Sequence, residues 1–443
     1  MHPGRPSYRA NLHPTSWLDA LRGYAAFIVF IYHIFGLPPI AFFHYPFIRV
    51  FWDSGPGMVA LFFVISGYVL SYRILKNIHN RDEGKLVDSL ASSTFRRWFR
   101  LFPSCGVAIL VTGVVVQLRW WIPQGAPLKN NLWEQMVDCF WDFSWLADPF
   151  ADVHGWVGPG TINSKYVGQL WTIPLEFRGS IVVFLFLAAS CRMSVRGRMI
   201  FLWALLCMCY YWVAVYIGEF LFGVFLAELS LLRHPERLGP RLLLPQQEQQ
   251  EDLDTSDTSD GEKPLSLSRR RRISRWWLSL GAKVIYILCF TLGFFLMGQP
   301  LDGNHIPKGA PWPWELLRSA IPFYFGLAQY TFWLGIGAGL IVFSLDSYRA
   351  LQIPLEWSFS QYLGKLSFGM YAMHDVVGAS LYWPIVAPFC KQHIGTSYWA
   401  QIPGQIFTAF VVIWISDYFT RIDDQVVLFA RWLERKFFTK RGV

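Results

Sequence analysis

Residues 17–36 read WLDALRGYAAFIVFIYHIFG. The stretch has the ~20 predominantly apolar residues that a bilayer-spanning helix needs, interrupted only by Asp19, Arg22 and His33. Ionisable groups inside such a segment are costly enough to mark a functional position by default. Arg22 and His33 are eleven residues apart; at ~1.5 Å and ~100° per residue they sit about 16 Å apart along the axis on nearly the same face. One helix face therefore offers a fixed cation near one membrane surface and an imidazole toward the other. The competing reading is structural, with Arg22 snorkelling and His33 interfacial.

Nine further stretches resemble the first in length and hydropathy: 56–75, 101–122, 170–190, 199–215, 217–232, 277–298, 327–345, 366–388 and 402–419. The segment 316–325 reads as re-entrant or interfacial. The whole chain of 443 residues is 53% hydrophobic and 16% charged, against about 45–50% and about 25% for soluble proteins. That balance excludes a disordered chain, a disulfide scaffold and a soluble nucleic-acid binder, and predicts an all-α polytopic membrane bundle of about ten helices. The polar start MHPGRPSYRANLHPTSW has no apolar core, so no cleavable signal peptide is expected. With the N-terminus inside, 29 of the 39 basic residues fall on inner segments, seven on outer loops and three within spans. This asymmetry predicts that both termini are cytoplasmic. The net charge of +9 is then an orientation signal, with the lipid bilayer as the partner and no nucleic acid.

The expected organisation is a cytoplasmic segment 1–16, a membrane domain 17–420 and a cytoplasmic amphipathic tail 421–443. The outer loop 123–169 is rich in Trp and Asp (Trp133, Asp138, Trp141, Asp142, Trp145, Asp148, Asp152). It reads either as a folded cap over an outer opening or as an interfacial aromatic belt. The inner loop 233–276 carries QQEQQEDLDTSDTSDGE and then SRRRRISR, a disordered tether whose Arg run lies against anionic headgroups. Thr255, Ser256, Thr258 and Ser259 are candidate phosphorylation sites there. Of the seven cysteines only Cys139 and Cys390 fall on the outer side, which allows one disulfide and requires none. No Cys or His cluster has metal-ligand spacing, so no metal and no permanently bound cofactor is expected.

Inside the fourth span, LWTIPLEFRGS carries Glu176 and Arg178. Counted from the outer side, Glu176 is expected at the depth of His33, where a carboxylate orients an imidazole that accepts a proton; a structural ion pair with Arg178 or Arg22 competes with that role. The ninth span, LSFGMYAMHDVV, holds Tyr371 and His374, the latter lining the same cavity or bonding a neighbouring helix. The inner edge FRRWFRLFP clusters Arg96, Arg97 and Arg100, either to hold phosphates of a nucleotide-bearing donor or to meet anionic lipid. Gly335 and Gly339 form a GxxxG pair that reads as close helix packing.

Together these segments resemble the acyltransferase-3 family of integral membrane O-acyltransferases. LDALRGYAAFIVFIYH is similar to its opening motif, with Arg22 and His33 separated by ten residues. FFVISGYVL with Ser66 and Gly67 resembles its second-helix signature, FRRWFRLFP its Arg-rich segment, LWTIPLEF with Trp171 and Glu176 its Trp-and-Glu motif, and LGKLSFGMYAMH its late Ser367, Tyr371, His374 segment. Ala20 replaces a frequent Gly, FRGS lacks an expected aromatic residue, and the acidic loop lies outside the pattern. The low-complexity insertion and the Trp-rich outer loop look similar to fungal members, some of which act in natural-product pathways. The resemblance implies acyl transfer from acyl-CoA, most often acetyl-CoA as co-substrate. The acceptor is a hydroxyl of a small metabolite, lipid or glycan.

On this reading His33 is the general base, Glu176 orients it, and Arg22 with Arg96, Arg97 and Arg100 holds the donor. Ser66 or Tyr371 stabilises the oxyanion. No thiol or serine is placed as a nucleophile, which favours direct attack over an acyl-enzyme. A transporter or exporter is the alternative class, since ten spans with buried charges also describe carriers; the chain shows no inverted repeat and no matching pair of broken spans.

Overall fold

The computed structural model describes residues 13, 15–149, 162–238, 265–302 and 306–438. The described residues are helical, without strands. The principal helices are α1 (Ser16–Ile34), α2 (Pro46–Asp53), α3 (Gly55–His79), α4 (Glu83–Gln117), α5 (Leu132–Leu146), α6 (Thr172–Ser190), α7 (Val195–Tyr211), α8 (Val215–Arg233), α9 (Leu265–Met297), α10 (Gln329–Ser347), α11 (Ser358–Lys365), α12 (Ser367–Val377), α13 (Ala387–His393) and α14 (Tyr398–Phe437).

Six described helices are long and apolar enough to cross a membrane: Gly55–His79, Glu83–Gln117, Gly168–Ser190, Val215–Arg233, Phe323–Ser347 and Tyr398–Phe437. The other four of the ten expected stretches are helical in ways that fall short of that measure. Helix α1 carries Asp19 and Arg22 among its 19 residues, α7 has 17, and the apolar part of α9 is Gly281–Met297. The fourth, 366–388, is divided by wide π-helical turns at Gly378–Val386. Pro384 inside those turns supplies no backbone N–H, which disrupts the regular i→i−4 ladder.

Small residues set how closely the central helices approach. A side chain at Gly67 of α3 would run into the Phe220 carbonyl of α8, and one at Gly223 of α8 into the Val64 carbonyl of α3. Likewise Gly364 of α11 lies against the Asp19 and Ala20 backbone of α1, and Gly378 against Ile34. With these contacts α1 and α12 run side by side in the same direction, so positions 366–378 match 22–34 in depth.

In the stretch 123–169, of which 150–161 lie outside the described residues, α5 runs antiparallel along α4, with Cys139 at Gly113, Phe143 at Gly106 and the Trp98 indole donating to the Ala147 carbonyl at 3.1 Å. Two Asp residues of this stretch find partners inside the fold. Asp142 accepts from Ser164 Oγ at 2.5 Å and the Lys165 N–H at 3.0 Å, and Asp138 from Tyr166 at 2.7 Å. The opposite face exposes Trp133, Phe140, Trp141 and Trp145, the pattern of a helix flanked by lipid. The segment expected as an amphipathic tail from 421 onward continues α14 without a break as far as Phe437. Finally, α9 starts at Leu265; the expected tether is helical from that point. The acidic part of that loop, with Thr255, Ser256, Thr258 and Ser259, lies outside the described residues, as do Asp152 and residues 1–12. All seven cysteines are free thiols, so Cys139 and Cys390 form no disulfide.

Candidate active site

The early start of α4 at Glu83 places Arg96, Arg97 and Arg100 on one continuous helix, and each meets a different partner. Arg97 is buried; its Nη2 donates to Glu176 Oε1 at 2.6 Å and its Nε to Ser180 Oγ at 2.7 Å. Arg96 pairs through Nε with Glu434 of α14 at 3.1 Å. Arg100 is exposed and makes no ion pair within 4.0 Å among the described residues, with Asp423 in the cavity beside it. Arg22 approaches from α1, its Nε buried without a hydrogen-bond partner.

These side chains line a row of adjoining cavities. The first, about 160 Å³, lies between Arg96, Arg97, Arg100 and Arg431. The second, about 100 Å³, shares Arg97 and Arg100 with it and adds Arg22, Ser66, Glu176 and Asp423. A third, about 60 Å³, shares Arg22 and Glu176 and reaches Thr172, Ser367 and Tyr371. Beyond Tyr371 stand two imidazoles: the Tyr371 and His374 rings are 6.2 Å apart between centroids, and the His374 and His33 rings 5.4 Å. The two ends of the α1 face are thus joined by a polar line through the bundle.

Glu176 is not where the count from the outer side put it. It accepts from Ser66 Oγ at 2.7 Å as well as from Arg97, beside Arg22 rather than His33. The reason lies in how α6 begins. Gln169 Nε2 donates to the Tyr371 and Ala372 carbonyls, each at 3.3 Å, so the turn before α6 is already inside the bundle, level with α12. Two further turns carry Glu176 about 10 Å toward the arginines.

The partner of His33 is instead on α12. His374 is fully buried, and its Nδ1 donates to the Met370 carbonyl at 3.0 Å. That bond leaves Nε2 as the bare nitrogen of the neutral ring, and it has no hydrogen-bond partner, although Asp375 Oδ1 lies 3.3 Å away. Sequence reasoning passed over Asp375; the adjacent His and Asp within an apolar span were the available signal. It also passed over Asp423 and Arg431, which only the straight continuation of α14 brings to the arginines. Neither hydroxyl expected to serve an oxyanion has a free proton: Ser66 donates to Glu176, and Tyr371 donates to the Gln169 carbonyl while meeting Thr172 Oγ1 at 2.5 Å.

The acyltransferase-3 family profile, described as an acyltransferase domain, matches residues 15–421. The chain belongs to the acyltransferase-3 family. It is similar to the O-acetyltransferase PaAT-1 of Phomopsis amygdali, at 30% identity over 409 residues covering 84% of this chain and 74% of that protein. It also resembles the acyltransferase R4 of Phoma sp., at 23% identity over 420 residues covering 81% and 82% of the two chains. No solved structure matches it. The protein is an integral membrane O-acyltransferase.

Proposed function

We propose that this acyltransferase moves an acetyl group from cytoplasmic acetyl-CoA to a hydroxyl of a small metabolite, lipid or glycan. The donor's phosphates rest on Arg22 and Arg100, which make no ion pair within 4.0 Å among the described residues, with Arg96 and Arg431 beside them; the thioester arm follows the cavities toward Tyr371. The observation that carries this reading is that row of cavities, running from the arginines to Tyr371, beyond which stand the His374 and His33 rings.

His33 takes the proton from the acceptor hydroxyl as its oxygen attacks the thioester carbon. Collapse of the tetrahedral intermediate breaks the C–S bond, and the leaving thiolate takes the proton from the imidazolium. His374 holds the ring in position, and Asp375 offsets its positive charge. The Arg97–Glu176 pair fixes the wall of the donor channel. Ten spans with both termini cytoplasmic would place the arginines at the inner surface and His33 toward the outer one. The name of the Phomopsis relative supports acetyl as the group transferred, and the fungal relatives fit a natural-product acceptor.

The test is release of CoA thiol from acetyl-CoA by purified protein in lipid nanodiscs, presented with extracts of hydroxylated metabolites. Acceptor-dependent thiol release that His33→Ala abolishes is the expected result. Acyl transfer undiminished in His33→Ala would remove the general-base role, and isolation of a stable acyl-enzyme would overturn direct attack.

A further inference from the structure

The arginine channel is walled at its inner end by a part of α14 that the family profile does not cover. The profile stops at residue 421, whereas the first cavity, about 160 Å³, is bounded on one side by Val427, Ala430 and Arg431. These residues reach it because α14 runs on without a break to Phe437 and is fastened to α4 at that end. Glu434 pairs with Arg96 at 3.1 Å, and the Phe438 and Phe95 rings meet at 5.2 Å between centroids.

The four guanidinium groups at this cavity are not equivalent. Arg96 is matched by Glu434 and Arg97 by Glu176. Arg100 and Arg431 are exposed, and neither makes an ion pair within 4.0 Å among the described residues. The second cavity, where Arg22 stands, is lined by the carboxylates of Asp423 and Glu176; among the described residues no carboxylate lines the first. Uncompensated positive charge is therefore concentrated at the first cavity. A phosphate monoester, with a charge of about −1.5 to −2 at neutral pH, complements it.

Length decides which phosphate of the donor this is. Between the thioester sulfur of acetyl-CoA and its nearer diphosphate phosphorus lie about 13 bonds, which at roughly 1.2 Å per bond of extended chain span about 16 Å. Arg22 and His33 are separated by the same distance along α1. A thioester at His33 thus leaves the diphosphate level with Arg22, at the second cavity. The ribose and its 3′-phosphate continue from the diphosphate away from the thioester, and Arg431 lies on that side. It is eight residues, about 12 Å, further along α14 than Asp423 of the second cavity.

We infer that Arg431, with Arg100, holds the 3′-phosphate of the CoA donor and makes the enzyme select CoA over its 3′-dephospho form. A guanidinium fork matches the phosphate oxygens in pairs. Arg431 is then a specificity-determining residue, far from the reacting atoms. The inference rests on the assignment of acetyl-CoA as donor and adds the group by which that donor is told apart.

The experiment uses full-length protein in phosphatidylcholine nanodiscs, which present no anionic lipid to compete for the guanidinium groups. Dissociation constants of CoA and 3′-dephospho-CoA are measured by calorimetric titration for the wild type, Arg431→Gln and Arg435→Gln, each checked by size exclusion. Arg435 is exposed on the same helix but does not line the cavity, so it controls for bulk charge. The wild type should bind CoA about tenfold more tightly than 3′-dephospho-CoA, as expected of one charged hydrogen-bonded contact. Arg431→Gln should bring CoA to the affinity of 3′-dephospho-CoA, whose own binding stays nearly constant, and Arg435→Gln should keep the preference. Equal binding of the two ligands by the wild type, a preference that survives in Arg431→Gln, or its equal loss in Arg435→Gln would overturn the role of Arg431 and leave the donor assignment standing. Binding of neither ligand by the wild type would overturn the donor assignment, and this inference with it.

Discussion

The guanidinium of Arg97 donates to the carboxylate of Glu176 across 2.6 Å, in the wall shared by the cavities that Arg22 lines. The two side chains are 8% and 16% exposed, so removing either leaves a largely desolvated charge. Arg97→Ala and Glu176→Ala should each destabilise the protein by about 3–5 kcal/mol. The double variant Arg97→Met, Glu176→Leu should recover a large part of that, as a double-mutant cycle of thermal unfolding in detergent would show. The residual activity of Glu176→Gln should keep the wild-type pH profile. A displaced profile would restore Glu176 as the group that orients His33.

His33 and His374 make different contributions, and kinetics separates them. Loss of a positioned general base lowers the rate by typically about 10²–10⁴-fold, so His33→Ala should fall in that range in kcat/KM. His374→Phe preserves a ring at the site but removes Nε2. It should lower kcat by a smaller factor and displace the pH–rate profile, because Asp375 and His374 bear on the protonation of the neighbouring ring. An unchanged profile in His374→Phe would reduce His374 to packing.

Arg100 is exposed at the first two cavities and makes no ion pair within 4.0 Å among the described residues, the state of a side chain available to an anionic ligand. Arg100→Ala should raise the KM for acetyl-CoA about tenfold, equivalent to about 1.4 kcal/mol, with little change in kcat. The same substitution should leave the KM for dephosphorylated pantetheine thioesters nearly unaltered. Steady-state kinetics with the two donors checks this; equal effects on both would remove the phosphate contact.

Most of the span order was legible because a run of twenty apolar residues needs no partner to be recognised, and the Arg22–His33 face followed from helix geometry alone. The depth of Glu176 was not legible. It depends on the turn at Gln169, which is held inside the bundle by carbonyls 202 and 203 positions away. The packing of α5 was not legible for a related reason. Its Trp and Asp residues suit a cap or an aromatic belt, yet Gln135, Cys139, Asp142 and Leu146 share one buried face. That helical spacing was in the sequence, but the partners that make Asp142 tolerable there, Ser164 and Lys165, are on a separate segment.

The α3–α8 contact gives a prediction about assembly. Side chains introduced at Gly67 or Gly223 meet backbone carbonyls of the facing helix, which cannot rotate away. Gly67→Ala and Gly223→Ala should each exceed the ~1–3 kcal/mol typical of overpacking and lower the yield of monodisperse protein. Gly281→Ala, with open space around it, is the matched control and should leave the yield unchanged. Fluorescence-detected size exclusion of the three variants distinguishes a packing requirement at these positions from a general intolerance of alanine.

Outside the spans, Asp53 at the end of α2 makes stability respond to pH. Burial pushes its carboxyl up to about 6 from an ordinary 3.8, with the nearby Arg49 opposing the shift. Between those two values the folded protein keeps a proton that the unfolded chain has released. This group's contribution to stability is therefore greatest below the ordinary value, declines as pH rises toward 6, and is constant above it. Asp53→Asn has no proton to lose, so its stability relative to wild type should increase across that interval and level off near neutrality. Thermal unfolding midpoints of the two proteins in detergent, measured from pH 4 to 7.5, test the point. Parallel curves would mean that Asp53 is as well solvated in the fold as in the unfolded chain.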